Sequence, residues 1–268
     1  MSAIEPVSEP CVTANVTLAV GSRRLQLQLS VPVGPTPTRF ALPVMQQIVD
    51  AAVAAIGEDA ATLKQPISCR VGCSACCHHL VPISPIEARN VLDVIDSMPA
   101  PRREEVHARF AHARRRLEEA GVLEDLANPR IWDGGGVGSR SEEYFHLGIA
   151  CPLLEGGACS IYADRPLICR QYMVVTPAEW CSDPKANKIQ VPQLPFDSWE
   201  TLARTAGEGP EGRNPWIPLV LAPEWARANP EPAPIYTGPE LIQRLFAELT
   251  GKQIPSPPSQ EPSCPPPV

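Results

Sequence analysis

A basic start and an apolar stretch of signal length are both missing from the first ten residues of this 268-residue chain, MSAIEPVSEP, so no secretory leader is expected. No run is read as approaching the roughly 20 apolar residues that a membrane span needs. The two absences together lead to the expectation of a soluble, cytosolic protein with no membrane partner. Positive charge is also in deficit, with 23 Lys and Arg against 30 Asp and Glu and a net charge of -7. That balance argues against a large electrostatic footprint for nucleic acid. Catalytic signatures are missing too. There is no Gly-x-Ser-x-Gly elbow, no His-Glu-x-x-His helix and no two-histidine, one-carboxylate spacing, so catalysis by those routes has no support.

Two residue types are abundant instead. The 33 prolines exceed the roughly 5% typical of proteins and concentrate in the second half, which predicts long connections and short helices there. The ten cysteines are clustered: Cys69, Cys73, Cys76 and Cys77 fall within CRVGCSACC, and Cys151, Cys159, Cys169 and Cys181 follow about eighty residues later. A chain of this length buries a core without disulfides. In a reducing cytosol, clustered thiols bind metal or do redox chemistry more often than they cross-link.

Local patterns fill in the frame. Val12 to Val20 and Leu25 to Val31 flank GSRR, and the strict alternation of LQLQLSV predicts a hairpin with one wet face. From Pro43 the helical spacing of VMQQIVDAAVAAI predicts a helix ending near Gly57. Ser84, Pro85 and Glu87 form a capped helix start. A charged helix follows, about Arg102 to Ala120, whose interleaved Glu104, Glu105, Glu118 and Glu119 read as a solvated face rather than a nucleic-acid surface. His107 and His112 lie five apart, about 140 degrees around a helix, and form no ligand pair.

Residues 128 to 141 form a glycine-rich loop without Rossmann or P-loop spacing. Glu142 and Glu143, before Tyr144 and His146, read either as acid–base groups or as helix N-terminal carboxylates after Ser141. Trp199 to Ala206, Pro218 to Asn229 and Pro239 to Thr250 read as helices. The proline-rich tail 254–268 reads as disordered. Cys264 in that tail, and Cys11 near the start, are poor ligand candidates.

The expected fold is α+β, mostly helical and loop-rich, with a small N-terminal β-hairpin, a metal-organised central region and a disordered Pro-rich tail. Its divisions are 1–60 for the hairpin and first helix, 61–182 for a cysteine-cluster metal-binding domain, 183–253 for a helical extension and 254–268 for the tail.

Tetrahedral coordination with metal–sulfur distances of about 2.3 Å requires sulfurs about 3.7 Å apart, which short loops satisfy. Cys69, Cys73 and Cys76 meet that need, helped by Gly72 and the small Ser74 and Ala75. Cys77 differs, because adjacent side chains diverge on a helix or a strand. The second group, Cys151, Cys159 and Cys169, folds back to complete the set, while Cys77 and Cys181 are candidates for small buried apolar groups. Four thiolates on a divalent ion, or on an oxidised four-iron cluster, leave about two negative charges that call for nearby donors. Arg70, Arg165 and Arg170 suit that cofactor-binding role. His78 and His79 suit it too, or serve as ligands themselves.

The string C-x3-C-x2-C-C, then Cys151-Pro152, then Cys159-x-Ile161-Tyr162-x-x-Arg165-Pro166-x-x-Cys169-Arg170-x-Tyr172 resembles the YkgJ-type cysteine-cluster family, described as zinc- or iron-chelating. The resemblance covers roughly residues 65 to 182 and implies metal binding through Cys69, Cys73, Cys76, Cys77, Cys151, Cys159 and Cys169. The cofactor it implies is an iron–sulfur cluster (4Fe-4S) or mononuclear iron or zinc, with a protein redox or substrate partner as a further expectation. Flagellin lysine N-methylases look similar in this motif, which keeps a SAM-using transferase as an alternative. The first three cysteines also have radical-SAM spacing, but Ala75 stands where that motif has an aromatic residue. A structural zinc module is the remaining alternative.

Overall fold

The structure, a computed structural model, describes residues 10–20, 23–70, 72–127, 137–184, 186–207 and 216–252. The tail 254–268 and residues 128–136 of the glycine-rich loop lie outside the described residues.

The chain opens with an antiparallel hairpin, β1 (Cys11–Val20) and β2 (Arg23–Pro32), in register from Cys11 opposite Pro32 to Val20 opposite Arg23. Its alternation sorts the faces. Thr13 bonds Ser30 at 2.8 Å and Thr17 bonds Gln26 at 3.0 Å on the wet side, while Leu18, Val20, Leu29 and Val31 enter the core. After β3 (Pro35–Thr36) comes α1 (Ala41–Thr62), which passes Gly57 and stops only where Lys64 takes a left-handed φ of 59°. An interior glycine costs about 1 kcal/mol against alanine, and α1 offsets that by burying Ala41, Leu42, Val44, Met45, Ile48, Val49, Ala52, Ala55 and Ala60.

One expectation is corrected here. Thr38–Thr62 is long and apolar enough to cross a membrane by length and composition, because its many alanines and few charges meet that test. In this structure its buried face packs against the hairpin and the later helices.

The middle of the chain runs through β4 (Pro82–Ile83), α2 (Pro85–Asp96), α3 (Ala100–Glu119), α4 (Leu123–Ala127) and α5 (Val137–His146). Ser84 and Glu87 close a reciprocal capping box at the start of α2, as its sequence predicts. Helix α5 begins at Val137, so Glu142 and Glu143 sit in its body rather than in its first turn. There Glu143 pairs with Arg140 at 2.6 Å, Glu142 lies 3.8 Å from His146, and the carboxylates are surface ion-pair members, not macrodipole caps.

The chain then forms β5 (Leu154–Glu155), β6 (Ala158–Cys159) and α6 (Leu167–Gln171). It ends with α7 (Ser198–Ala206), β7 (Ile217–Pro218), α8 (Ala222–Ala228), β8 (Tyr236–Thr237) and α9 (Gly238–Thr250). The helix expected from Pro218 is shorter than its pattern, since Pro218 and Pro223 confine it and a 3-10 turn occupies Leu219–Leu221. The short strands pair as three clips, β3 with β8, β4 with β7 and β5 with β6.

The largest apolar cluster joins the hairpin's inner face to α1, Leu202 of α7 and Leu241, Leu245 and Phe246 of α9, and includes Leu167. A second cluster joins α2 and α3 to Leu153 and Ile161, with Cys151 and Cys159 packed at its margin. Helix α6 thus carries Cys169 on an element anchored by Leu167 in the first core, while its neighbours in the site are anchored in the second.

Candidate metal centre

The first cysteine loop is zipped to a segment more than a hundred residues later. Ser68 donates its backbone N–H to Val174 O at 2.9 Å and its hydroxyl to the carbonyls of Val174 and Thr176. That pairing sets the Cys69 Sγ where the Val174 N–H reaches it at 3.4 Å. The loop tightens through Gly72, whose φ of 84° favours glycine, and Cys73 N–H returns to Arg70 O at 3.0 Å. Residues Ala75–His78 then make a 3-10 turn carrying both Cys76 and Cys77.

That turn is held from two sides. The Cys77 carbonyl accepts from Cys151 N–H at 2.7 Å, which brings in the second motif. The His79 Nε2 lies 2.9 Å from the Cys181 carbonyl. A carbonyl only accepts, so Nε2 carries the proton in this contact. Cys73 and Ala75 pack with Tyr172 against Val174, Ala178 and Cys181 in one small apolar cluster.

Three anchors position the second motif. Arg102 and Arg109 of α3 both pair with Glu155, the former at 3.1 Å, and Arg109 also donates to Leu154 O at 3.0 Å, which fixes the β5–β6 clip that ends in Cys159. The buried Glu87 accepts from Leu167 N–H at 2.7 Å at the first turn of α6. Arg170, with 7% of its side chain exposed, pairs with Asp50 at 2.8 Å and donates to the carbonyls of Arg165 and Ala163, folding the Tyr162–Leu167 connection onto α1.

Cys69, Cys73, Cys76, Cys77, Cys151, Cys159, Cys169 and Cys181 are all free thiols, whereas Cys11 is disulfide-bonded. Burial is the main force on five of them. It raises Cys169 well above the ordinary thiol range, with Cys151, Cys76 and Cys159 adding to the rise. It pushes Cys151 up to about 12, against a hydrogen bond from Leu153 N–H. Cys159 is raised likewise, opposed by Ile161 N–H and by Arg165. Cys69 is raised against the Val174 N–H, and Cys181 against a hydrogen bond from Tyr172.

Cys76 is raised by a hydrogen bond with the Cys77 thiol first, then by burial, with Arg165 opposing. The two adjacent thiols therefore meet instead of diverging, because rotation about their side-chain bonds can bring together groups whose Cβ vectors splay apart.

Among the described residues, no group of three or more His, Cys, Asp or Glu side chains is gathered tightly enough to hold a metal ion. Three of the sulfurs are satisfied locally, Cys69 by Val174, Cys181 by Tyr172 and Cys76 by Cys77. The donor chemistry nevertheless fits a thiophilic cation. Desolvated thiols, which would repel one another as thiolates, are what a bound cation would deprotonate and attract. Backbone N–H donors already aim at Cys69, Cys151 and Cys159.

The three arginines separate by position. Arg165 stands beside Cys76 and Cys159, stacks 3.8 Å over the Tyr162 ring, and has a buried Nε with no hydrogen-bond partner. Arg170 is taken up by Asp50 and two carbonyls, and Arg70 is exposed. His79 is engaged by Cys181 O and lies 5.0 Å from the Phe145 ring.

Sequence reasoning underrated two residues. Arg109 was part of a face read as solvated, yet it turns inward, grips the β5–β6 clip and favours the Cys151 thiolate. Only its neighbour at the far end of the clip, Glu155, could have signalled this. Cys181, read as apolar filler, is buried but faces Cys69, Cys73 and Cys76. Its separation from the motif by eleven residues hid it.

Residues 68–190 match a family model described as "CxxCxxCC: Putative zinc- or iron-chelating domain". No curated protein and no solved structure matches the chain.

Proposed function

We propose that the chain chelates iron or zinc directly through thiolates drawn from both cysteine stretches, a reading supported by the similarity of residues 68–190 to a zinc- or iron-chelating cysteine-cluster domain. The candidate ligands are Cys69, Cys73, Cys76, Cys77, Cys151, Cys159 and Cys169, to which their surroundings add Cys181. Arg165 is the cation placed to offset the excess negative charge. Thiolates suit zinc, ferrous iron and iron–sulfur clusters alike, and the ion would supply a cross-link between the two stretches.

The observation that carries this reading is the junction at Cys77, whose carbonyl accepts from Cys151 N–H at 2.7 Å and so binds the first motif to the second. Anaerobic purification followed by metal and sulfide analysis and a visible spectrum tests it. Stoichiometric iron or zinc, lost from Cys76→Ser and Cys151→Ser, is the expected result. Iron with acid-labile sulfide identifies a cluster, and colourless zinc protein removes the iron form. Metal-free wild-type protein that takes up neither ion overturns the reading.

A further inference from the structure

The cysteines of this chain fall into two chemical states. The eight in the two central stretches are free thiols, whereas Cys11 is disulfide-bonded. A disulfide needs a second cysteine, and of the ten in the sequence only Cys264 is left to supply it. Cys264 itself lies outside the described residues.

The surroundings of Cys11 suit that partner. Alternate residues of β1 share one face, and Thr13 and Thr17 mark the wet one through their bonds to Ser30 and Gln26. Cys11 sits on that same face but is 2% exposed, and Pro32 opposite it is buried as well. This end of the wet face is therefore covered, where alternation alone would leave it open to water.

The reach of the chain agrees. The Pro32 carbonyl lies against the start of α9, close enough that a Cβ on Gly238 would come within 2.0 Å of it. From there α9 carries the chain about 20 Å away over its 13 residues. The segment from Gly251 to Cys264 reaches roughly 40 Å in the extended form that prolines favour, about twice the return distance.

We propose that Cys264 is the disulfide partner of Cys11, and that this bond straps the C-terminal tail to the end of the hairpin remote from its turn, opening and closing with the thiol poise around the protein. Closure by a small disulfide such as oxidised glutathione forms one protein S–S bond, breaks the reagent's S–S bond and passes the two thiol protons to the two small thiols released. Two small thiols reverse the step. In a reducing cytosol such a bond is transient and redox-sensing, and in an oxidising compartment it persists. The strap stands apart from the metal centre, since β1 packs into the cluster of α1 and α9 and no cysteine of the centre belongs to that cluster. Chelation neither requires nor forbids it.

The test begins with the full-length chain equilibrated in glutathione buffers from reducing to oxidising poise, quenched with acid, alkylated in denaturant and digested with trypsin, which cuts after Arg23 and Lys252. Oxidising buffers should yield residues 1–23 joined to residues 253–268 as one mass, and reducing buffers should separate them. On the folded oxidised protein, a cut after Lys252 should free the tail only once dithiothreitol is added. Cys264→Ser should leave Cys11 alkylated as a thiol. It should also melt about 5 °C below oxidised wild type in the same buffer, with circular dichroism verifying that it folds. Cys11 recovered as a thiol at every poise, joined to a cysteine of the centre, or joined to Cys264 of a second copy in a covalent dimer overturns the strap. So does an unchanged melting temperature. Each of these outcomes leaves chelation standing.

Discussion

The Glu87 carboxylate accepts a hydrogen bond from Leu167 N–H at 2.7 Å across 80 residues of sequence, while its other oxygen accepts from Ser84 N–H and the Ser84 hydroxyl at 2.8 Å each. One buried side chain thereby caps α2 and holds the first turn of α6. Glu87→Ala leaves two buried N–H groups without partners, at about 1–3 kcal/mol each. The variant should lose about 2–4 kcal/mol of stability in urea unfolding. An undiminished midpoint would show that water replaces the carboxylate.

Burial also raises the Glu87 carboxyl above its ordinary value of 4.5, against the pull of its hydrogen bonds and of Arg170. The folded state therefore takes up this proton at higher pH than the unfolded chain does. The resulting stability is complete below about pH 4.5 and is lost as the pH rises through the raised folded value. Wild type should accordingly gain on Glu87→Gln as the pH falls from neutrality toward 5. Parallel pH profiles for the two proteins would contradict this.

Arg170 is nearly enclosed, but its partner Asp50 has a side chain 53% exposed, so the ion pair itself is screened. The carbonyls of Ala163 and Arg165 are the greater loss when Arg170 is removed. Arg170→Ala should cost about 3 kcal/mol and Asp50→Ala about 1 kcal/mol or less. Comparable losses from both would place the energy in the ion pair instead.

Gly238 opens α9 where the end of β2 crosses it, and a Cβ there would lie 2.0 Å from Pro32 O. The obstacle is backbone on a strand paired along its length, so neither side yields cheaply. Gly238→Ala should destabilise by about 3 kcal/mol, toward the upper end for overpacking. Gly251→Ala, with open space around its Cβ, isolates the conformational part of such a change, because its φ is 67°. Equal effects at the two sites would discount the collision.

Thr237 caps α9, accepting from Glu240 N–H, while Glu240 accepts from Thr237 N–H at 2.8 Å. Thr237→Ala should cost about 1 kcal/mol. The same bonds hold the Glu240 carboxyl below its ordinary 4.5, so its contribution is present above that value and is lost on acidification through the lowered one. The sign is opposite to that of Glu87. Carboxyl carbon chemical shifts followed by NMR titration should show the two moving to opposite sides of 4.5.

Because burial raises the thiols, loading a metal ion must displace bound protons, and uptake should weaken as the pH falls from 8 to 6. A chelator should lower the melting temperature and expose the 68–181 region to protease before the hairpin. A pH-independent affinity would mean that the ligands are not these thiols.

Much of this was legible locally. The LQLQLSV alternation predicts the hairpin, and Ser84 with Glu87 predicts the capping box, because period and cap chemistry act over a few residues. The end of α1 was not legible, since the buried alanines beyond Gly57 outweigh one glycine's preference. Nor were the inward turn of Arg109 and the position of Cys181, which depend on which distant strand or turn lies opposite. The cysteine spacing points to thiolate chemistry, but the approach of the first cysteine loop to the later one depends on the pairing of residues 68–69 with Val174.

That pairing also orders events during synthesis. Cys69 and Cys73 emerge from the ribosome long before Val174 and Cys181 exist to face them, so the nascent chain carries a run of unpaired thiols through the translation of about a hundred residues. Closing so long a loop is entropically costly and slow, so the junction of the two cysteine stretches forms after the local hairpin and helices that precede it.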